Sequence, residues 1–296
     1  MKIGIAGTGR MGAAIAQRLM SLGHELAVWN RTPEKTRPLA AAGARVAATP
    51  AQLASSSDTI ITILTDATAI DAAYHAKDGL LSVSVAGKLL IEMSTVRPET
   101  ERKLAAKIRE KGATMVECPV GGTVGPTKDG KLFGFAGGEA ADVARARPLL
   151  DQLCRRVEHV GPVGAGASMK LAINLPLLVF WQAFGEALAL CRSLGLDSAR
   201  IVDIFADTSG GPNVLKGRGA VLAAALQGKD TGAITVDIDA MRKDLRTMVE
   251  EAGSLGTGLP VTSRALECYD EASREGLGKR DITAIPVRWM KKPGKT

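Results

Sequence analysis

The sequence predicts an α/β domain with a parallel sheet, followed by an all-α domain that a long helix joins to it. Up to about residue 160, short apolar runs alternate with helical stretches, which is typical of a sheet covered by helices on both faces. After Gly166, Ala- and Leu-rich stretches with helical periodicity replace the strands. The length of 296 residues and the hydrophobic content of 46% fit two domains with buried cores.

The first predicted domain covers residues 1–163 and carries the sheet. Its strands are expected where apolar residues form short runs bounded by glycine or polar residues, at 2–6, 25–29, 59–64, 88–92, 114–118, 131–136 and 156–159. Helices are expected where Ala, Leu, Arg, Lys and Glu recur with helical spacing, at 11–22, 36–42, 50–55 and 98–111.

The second predicted domain covers residues 164–291 and is helical. Its first helix, 168–194, is long enough to leave one domain and begin the next, and we expect further helices at 199–206, 219–226, 237–255 and 260–275. Residues 292–296 are basic and contain Pro and Gly, so we expect a frayed tail.

Composition excludes several classes of partner. The net charge of +7 is scattered and aromatic residues make up only 3%, which argues against nucleic-acid binding. The most apolar stretch, 171–190, contains Asn174, Gln182 and Glu186, so we interpret it as a buried helix rather than a membrane span. No metal-binding spacing occurs among the four cysteines, which are Cys118, Cys154, Cys191 and Cys268. With no secretory signal at the start, we expect a cytoplasmic protein.

The strongest motif is a glycine-rich turn between the first strand and the first helix, Gly7-Thr-Gly9-Arg-Met-Gly12. Glycines at this spacing make a tight turn, admit a pyrophosphate close to the backbone and let the helix pack on the strand, while free N–H groups at the helix start bind the phosphates. The alternative is a purely structural turn. We predict that a dinucleotide is bound here by Gly7, Gly9, Arg10, Met11 and Gly12.

The end of the second strand indicates which dinucleotide is bound. An acidic residue there binds the ribose 2′-hydroxyl of NAD, whereas an arginine accommodates the 2′-phosphate of NADP. Here the sequence reads Asn30-Arg31-Thr32, so no carboxylate repels a phosphate and Arg31 offers a charged fork. We therefore predict NADP in preference to NAD. The alternative is that Arg31 is only a turn residue and does not bind the cofactor.

A second constellation lies where the strands give way to helices. Glycines precede Lys170 and Asn174, which are four residues apart and so share one helical face. A lysine at that place could protonate the oxygen of a carbonyl group during its reduction, and an amide could orient the substrate. Spacing alone leaves open a solvated lysine and an amide that caps a turn.

Together these residues resemble the β-hydroxyacid dehydrogenase family over nearly the whole chain. The resemblance rests on the glycine turn, on Met93-Ser94-Thr95, on Pro119-Val120-Gly121-Gly122-Thr123, on the glycine-lysine-asparagine block and on Lys243-Asp244-Leu245. It implies a Rossmann-type N-terminal domain, a long interdomain helix and an all-α C-terminal domain that builds homodimers or homotetramers.

The resemblance also implies roles for single residues. Lys170 matches the family's catalytic lysine, Asn174 a substrate-binding asparagine and Lys243 a lysine near the cofactor. Thr95 matches a threonine beside the nicotinamide and the substrate. The family's cofactor-contacting loop corresponds to Leu64 and Thr65. Asp244 has an alternative role as a surface partner of Arg242 or Arg246 on its helix, so we do not assign it to the catalytic residues.

One departure concerns the substrate. The family typically has Ser-Gly-Gly after Pro-Val, where the hydroxyl and backbone amides hold a carboxylate, but this chain has Gly121, Gly122 and Thr123. A glycine turn still forms an anion-binding nest, so we expect these three residues to bind a small acidic aldehyde or hydroxy acid. The alternatives are an imine reductase, against which Lys170 argues, and a non-catalytic NADP-binding regulator.

Overall fold

A computed structural model of the chain describes residues 1–208, 210–229 and 231–290. The predicted tail, 292–296, lies outside the described residues. The chain forms two compact units, of which the first is Met1–Ala172 and the second begins at Ile173. The boundary falls inside the long helix, later than the predicted end of the first domain at residue 163. Each unit is described separately.

The first unit contains one mixed sheet. Its strands are β1 (Lys2–Ala6), β2 (Glu25–Trp29), β3 (Arg45–Val46), β4 (Thr59–Thr62), β5 (Leu89–Glu92), β6 (Thr114–Glu117), β7 (Val120–Gly121), β8 (Leu132–Gly137) and β9 (Cys154–Gly161). Strands β1 to β6 are parallel in the order 3-2-1-4-5-6, which is the Rossmann-type order. Strand β8 runs antiparallel to β6 and β7, and β9 is parallel to β8. The predicted fold class is confirmed.

Helices cover both faces of this sheet. They are α1 (Arg10–Ser21), α2 (Arg37–Ala41), α3 (Pro50–Ser55), α4 (Ala67–His75), α5 (Pro98–Glu110), α6 (Val124–Lys128) and α7 (Ala140–Leu153). One apolar core includes Ile5, Leu19 and Leu150, and a second, on the other face, includes Ile60, Tyr74 and Leu104. Because both faces of the sheet are covered, the residues of β1, β4 and β5 are buried almost throughout rather than alternately.

The predicted elements recur with shifted ends, and several were missed. Strand β4 ends at Thr62 rather than at residue 64, so Leu64 already lies in the following loop. The strands β3 and β7 are only two residues long, too short to show an apolar period. The helices α4, α6 and α7 were not predicted, and α7 contains Pro148, a residue that usually ends a helix.

The long helix predicted at 168–194 is present as α8 (Ala165–Leu190), and it continues through Pro176. The second unit adds α9 (Ser198–Ala206), α10 (Asn213–Leu226), α11 (Ile238–Ser254), α12 (Pro260–Ala272) and α13 (Ala284–Met290). The all-α second domain is thus confirmed over the residues that the structure describes. The helix α13 was not predicted.

By length and composition alone, α8 could cross a membrane. In the second unit, however, it packs against other helices: Trp181 and Phe184 are almost fully buried, and the Phe184 ring meets the Phe205 ring edge-on. The Tyr269 hydroxyl of α12 donates a hydrogen bond to the Leu178 carbonyl at 2.9 Å. These contacts agree with the prediction of a buried core helix.

Candidate active site

Most of the predicted site residues of the first unit follow the carboxyl ends of its parallel strands. Gly7 follows β1, Asn30 follows β2, Leu64 lies just beyond β4 and Thr95 lies just beyond β5. Since the carboxyl ends of parallel strands share one edge, the fold brings these loops to a single side of the sheet. That edge is where open α/β sheets bind their ligands.

The glycine turn after β1 is shaped by close backbone contacts. Gly7 has a φ of 101°, which favours glycine, and its N–H donates to the Trp29 carbonyl at 2.9 Å. A Cβ atom on Gly12 would overlap the Gly7 carbonyl oxygen, so α1 can begin this close to β1 only if residue 12 is glycine. These two glycines therefore shape the turn itself.

Gly9 differs, because a Cβ atom there would meet no atom within 4 Å. Its φ of −66° also suits any residue, so neither packing nor conformation requires glycine. Beside it, the Thr8 hydroxyl is buried without a hydrogen-bond partner among the described residues. Open space over Gly9, an unsatisfied hydroxyl and an α1 N-terminus without a side-chain cap fit the pyrophosphate of a dinucleotide. Sequence reasoning had missed Thr8.

Of the three residues after β2, one supports the loop through hydrogen bonds and the other two are exposed. Asn30 accepts a hydrogen bond from the Thr8 N–H at 3.0 Å and donates one to the Thr32 carbonyl at 3.0 Å, so its amide ties the glycine turn to the β2 loop. Arg31 and Thr32 are exposed next to it. This arrangement leaves the guanidinium accessible to a phosphate while Asn30 supports the loop.

The loops after β4 and β5 are joined by a buried polar network. The Leu64 N–H donates to Ser94 Oγ at 2.8 Å, and the Ser94 N–H donates to the Glu92 carboxylate at 2.8 Å. Ser94 Oγ also donates a very short hydrogen bond to Glu92. Thr95, the next residue, is half-buried, and Thr65 is exposed. The network fixes the spacing between the predicted cofactor loop and Thr95.

The predicted substrate loop lies against the start of α1. The Thr127 hydroxyl donates to the Thr123 carbonyl at 2.8 Å and contacts Met11 Sδ at 3.7 Å. Gly122 has a φ of 127°, and a Cβ atom there would lie 2.6 Å from Leu132. Gly121 has no such restriction, because a Cβ atom there would meet its nearest neighbours at 3.8 Å.

Lys170 lies in the first turns of α8, which belong to the first unit, and its exposed fraction is only 9%. The start of this helix is held by Glu117, whose carboxylate accepts hydrogen bonds from three backbone N–H groups of residues 164–167. Burial raises the pKa of Glu117 to about 7. Burial also raises the pKa of two neighbouring carboxyl groups, those of Glu92 and Glu101.

In the second unit, two side chains contact the carboxylate of Asp244. The Asn174 amide donates to Asp244 Oδ2 at 3.4 Å, and Lys243 Nζ lies 2.6 Å from Asp244 Oδ1. The alternative role of Asp244, as a surface partner of Arg242 or Arg246, is not what the structure shows. Both arginines instead pair with Asp270, which the adjacent helix α12 presents to their side of α11.

No group of three or more His, Cys, Asp or Glu side chains within the described parts of the chain could hold a metal ion. The first unit offers a set of backbone N–H groups, an accessible guanidinium and a buried lysine. This set suits a phosphate-bearing cofactor and proton transfer.

Comparison with known families gives matches to both units. Residues 2–161 match the NAD-binding domain of 6-phosphogluconate dehydrogenase. Residues 164–289 match the family described as NAD-binding of NADP-dependent 3-hydroxyisobutyrate dehydrogenase.

Individual proteins are similar over almost the whole chain. Glyoxylate/succinic semialdehyde reductase 1 of Arabidopsis thaliana is 33% identical, over 96% of this chain and 97% of its own. The crystal structure of 3-hydroxyisobutyrate dehydrogenase from Salmonella typhimurium is 25% identical, with a TM-score of 0.85 over 97% of this chain and 99% of its own. An imine reductase from Myxococcus stipitatus, in complex with NADP+, shares the fold at 24% identity with a TM-score of 0.65, over 98% of this chain and 100% of its own.

Proposed function

The chain belongs to the β-hydroxyacid dehydrogenase family of NAD(P)-dependent oxidoreductases that act on CH–OH groups, and on that premise we propose that it reduces a small acidic aldehyde or keto acid with NADPH. The observation that carries this proposal is the almost complete burial of Lys170 in a helix whose start is fixed to the sheet. A lysine that served only for solubility would extend into solvent.

The proposed chemistry divides between cofactor and protein. When bound, the nicotinamide cofactor supplies the hydride that reduces the carbonyl carbon. Lys170 donates a proton from Nζ to the carbonyl oxygen, and it accepts that proton back when the hydroxy acid is oxidised. Asn174 and Thr95 orient the substrate, and Lys243 assists near the cofactor.

The cofactor preference is proposed from the loop after β2. Gly7, Gly9, Arg10, Met11 and Gly12 bind the pyrophosphate, and Thr8 Oγ adds a hydrogen bond. Arg31 and Thr32 bind the 2′-phosphate of NADP, supported by Asn30, which keeps the loop attached to the glycine turn. Leu64 and Thr65 line the nicotinamide side together with Thr95.

The substrate's acidic group is proposed to bind at Gly121, Gly122 and Thr123. Their backbone N–H groups, with the turn set by the positive φ of Gly122, form an anion-binding nest. A serine at position 121 would occupy part of the space beside Gly121. Without that side chain, the loop has room for a bulkier acidic head group.

The test is a panel assay that follows the nicotinamide absorbance with NADPH and with NADH. The panel contains glyoxylate, succinic semialdehyde, tartronate semialdehyde, methylmalonate semialdehyde, sulfonated aldehydes and cyclic imines. We expect an acidic aldehyde to be reduced with NADPH, and Lys170→Ala to abolish this while NADPH binding persists. Lys107→Ala, at an exposed lysine of α5, is the control.

Other outcomes would identify the alternatives. Turnover of imines alone would favour the imine reductase, and tight NADPH binding without any turnover would favour a regulator.

We further propose a cytoplasmic homodimer or homotetramer that assembles through the helical unit, whose surface exposes Leu190, Leu194, Leu255 and Val261. Sedimentation analysis tests the assembly.

A further inference from the structure

Glu117, the last residue of β6, does not take part in the proposed chemistry, yet it holds the helix that carries Lys170. It is fully buried. Its Oε1 atom accepts hydrogen bonds from the Gly164 N–H at 2.5 Å and the Gly166 N–H at 2.8 Å, and its Oε2 atom accepts one from the Ala167 N–H at 3.3 Å. A helix start is the place where backbone N–H groups lack helical partners and where a negative charge is most favourable.

Two glycines leave space for this carboxylate. A Cβ atom on Gly137, in β8, would overlap Glu117 Oε1. A Cβ atom on Gly166, in α8, would overlap the Phe135 carbonyl oxygen and lie 3.3 Å from the same carboxylate. Neither glycine has a positive φ, so it is space and not backbone conformation that requires glycine at both positions. The site is therefore built around a carboxylate of this length.

Glu117 also belongs to a buried group of acids that reaches the cofactor loops. Glu92, which holds Ser94 and through it Leu64, is close enough to raise the pKa of Glu117. The charges of Glu92 and Glu117 both raise the pKa of Glu101, which lies on α5. One cluster of carboxyl groups thus supports the predicted nicotinamide loops at one end and the first turn of α8 at the other.

We propose that Glu117 is a positioning residue that fixes the first turn of α8 and thereby sets the place of Lys170 for proton transfer. Lys170 follows Gly166 by four residues, so a shift or tilt of the first turn moves the lysine directly. The inference rests on the proposed function, because it assigns Glu117 a role in that reaction.

The charges around Glu117 determine how this support responds to pH. Glu92 faces it from β5, and its charge disfavours the ionised form of Glu117. The Glu117 charge in turn raises the pKa of Glu101, which lies on α5. Among the cations, Arg102 of α5 lies against Gly164, and Lys170 lies on α8 itself. Because the pKa of Glu117 is about 7, the carboxylate that holds the three N–H groups is lost as the pH falls through neutrality.

The expected pH effect is opposite in sign to that of a general acid. A general acid must be protonated to react, so its deprotonation lowers the rate of reduction as the pH rises. Protonation of Glu117 loosens the helix start and therefore limits turnover at low pH. A decline in kcat below about pH 7, with NADPH affinity unchanged, is the signature of Glu117.

The test compares Glu117→Gln with Glu110→Gln, an exposed glutamate of α5. Glu117→Gln keeps the size but removes the charge, and its amide N–H2 group faces backbone donors. We expect kcat to fall at pH 8 by about tenfold or more, the dissociation constant for NADPH to change by less than about twofold, and the acid limb of kcat to disappear. Glu110→Gln should behave as the wild type.

Amide hydrogen exchange gives a readout that needs no substrate. In Glu117→Gln we expect exchange at residues 164–170 to be at least about tenfold faster than in the wild type and in Glu110→Gln. If Glu117→Gln does not fold, the wild-type enzyme still decides, because its kcat must fall below about pH 7 and exchange at residues 164–170 must accelerate over the same range.

Two results would overturn the inference: an active enzyme whose kcat and pH profile are unchanged by Glu117→Gln, or a wild type with no acid limb. Failure of the proposed function looks different, because the wild type would then reduce no carbonyl compound at any pH. In that case hydrogen exchange in Glu117→Gln still tests whether Glu117 supports α8. Unchanged exchange at residues 164–170 would refute this support, and accelerated exchange would uphold it.

Discussion

The Asp244 carboxylate accepts a hydrogen bond from the Asn174 amide across 3.4 Å, from one helix of the second unit to another. The same carboxylate lies 2.6 Å from Lys243 Nζ, and the side chain of Asp244 is only 16% exposed. Asp244 therefore links and orients two residues that the family resemblance assigns to the site. Its partners are these two residues and not Arg242 or Arg246 of the same helix.

Removal of this charge should reduce activity. In Asp244→Asn, the ion pair with Lys243 is lost and Asn174 faces a group that can present a donor instead of an acceptor. We expect kcat/KM to fall by on the order of tenfold or more, since hydrogen bonds to charged groups contribute about 1.5–3 kcal/mol. Steady-state kinetics measures this. Glu250→Gln, an exposed glutamate on the same helix, should leave kcat/KM unchanged; a comparable loss there would contradict the specific role.

Cofactor selection should depend on Arg31. We expect Arg31→Ala to raise the KM for NADPH by about tenfold or more, because a charge-assisted contact to the 2′-phosphate is lost, and to leave the KM for NADH nearly unchanged. The matched control is Arg37→Ala, an exposed arginine of α2 that pairs with Glu34. An equal effect on both cofactors would show that Arg31 supports the loop and does not recognise the phosphate.

The two glycines that differ in their surroundings should respond differently to alanine. Gly9→Ala meets open space, so the free energy of unfolding should change by less than about 0.5 kcal/mol while the affinity for NADPH falls by about tenfold or more. Gly12→Ala overlaps the Gly7 carbonyl and should destabilise the fold itself. Denaturant unfolding and NADPH titration measure the two effects. Normal cofactor affinity in Gly9→Ala would contradict pyrophosphate binding at this turn.

The head group that the substrate loop accepts should change with Gly121→Ser. The added side chain fits, since its Cβ atom would have 3.8 Å to its nearest neighbours, and its hydroxyl adds a hydrogen-bond donor for a carboxylate. We expect kcat/KM to rise several-fold for the smallest carboxylate aldehydes relative to bulkier substrates. Gly122→Ser, at a positive φ, should instead lose about 1–3 kcal/mol of stability. An unchanged substrate ranking in Gly121→Ser would place the head group elsewhere.

The free energy of unfolding should depend on pH because the first unit buries several carboxyl groups. Burial raises the pKa of Glu101 well above 4.5, and the nearby charges of Glu92 and Glu117 raise it further. The folded protein then binds a proton that the unfolded chain releases, so the contribution of Glu101 to stability is complete below about pH 4.5 and declines as the pH rises toward the folded pKa.

Accordingly, the free energy of unfolding of Glu101→Gln, relative to the wild type, should increase as the pH rises from about 5 to 8, with a slope of up to about 1.4 kcal/mol per pH unit. Urea unfolding at several pH values measures this slope. Glu110→Gln should show a difference that does not vary with pH. A flat difference for Glu101→Gln would mean that this carboxyl group is already ionised in the folded protein.

Much of the scaffold could be predicted because its signals are local. The strands β1 and β2 have the predicted ends because each is a short apolar run bounded by glycine or polar residues. The helix α3 also has its predicted ends, because Thr49 caps it and Pro50 begins it. The two-residue strand β7 could not be found in this way, since its pairing with β8 depends on the tertiary fold.

The polar interior of the site was harder to predict. Glu92 and Glu117 end apolar strands, and sequence reasoning assigns such glutamates to the surface. Asp244 lies among several charges on α11, and spacing along one helix cannot tell which of them face another helix. Thr8 gave no signal beyond its place in the glycine motif. In each case the partner is distant in sequence, so only the folded chain shows it.

The fit of the Glu117 side chain against Gly137 makes the two positions a covarying pair. Among relatives, a β-carbon at position 137 should occur only where position 117 has shortened, for example to aspartate, because the longer acid already fills that volume. Gly137→Ala alone should therefore be poorly tolerated, and Glu117→Asp should compensate it. Substitutions at the two positions are consequently expected to occur together in evolution.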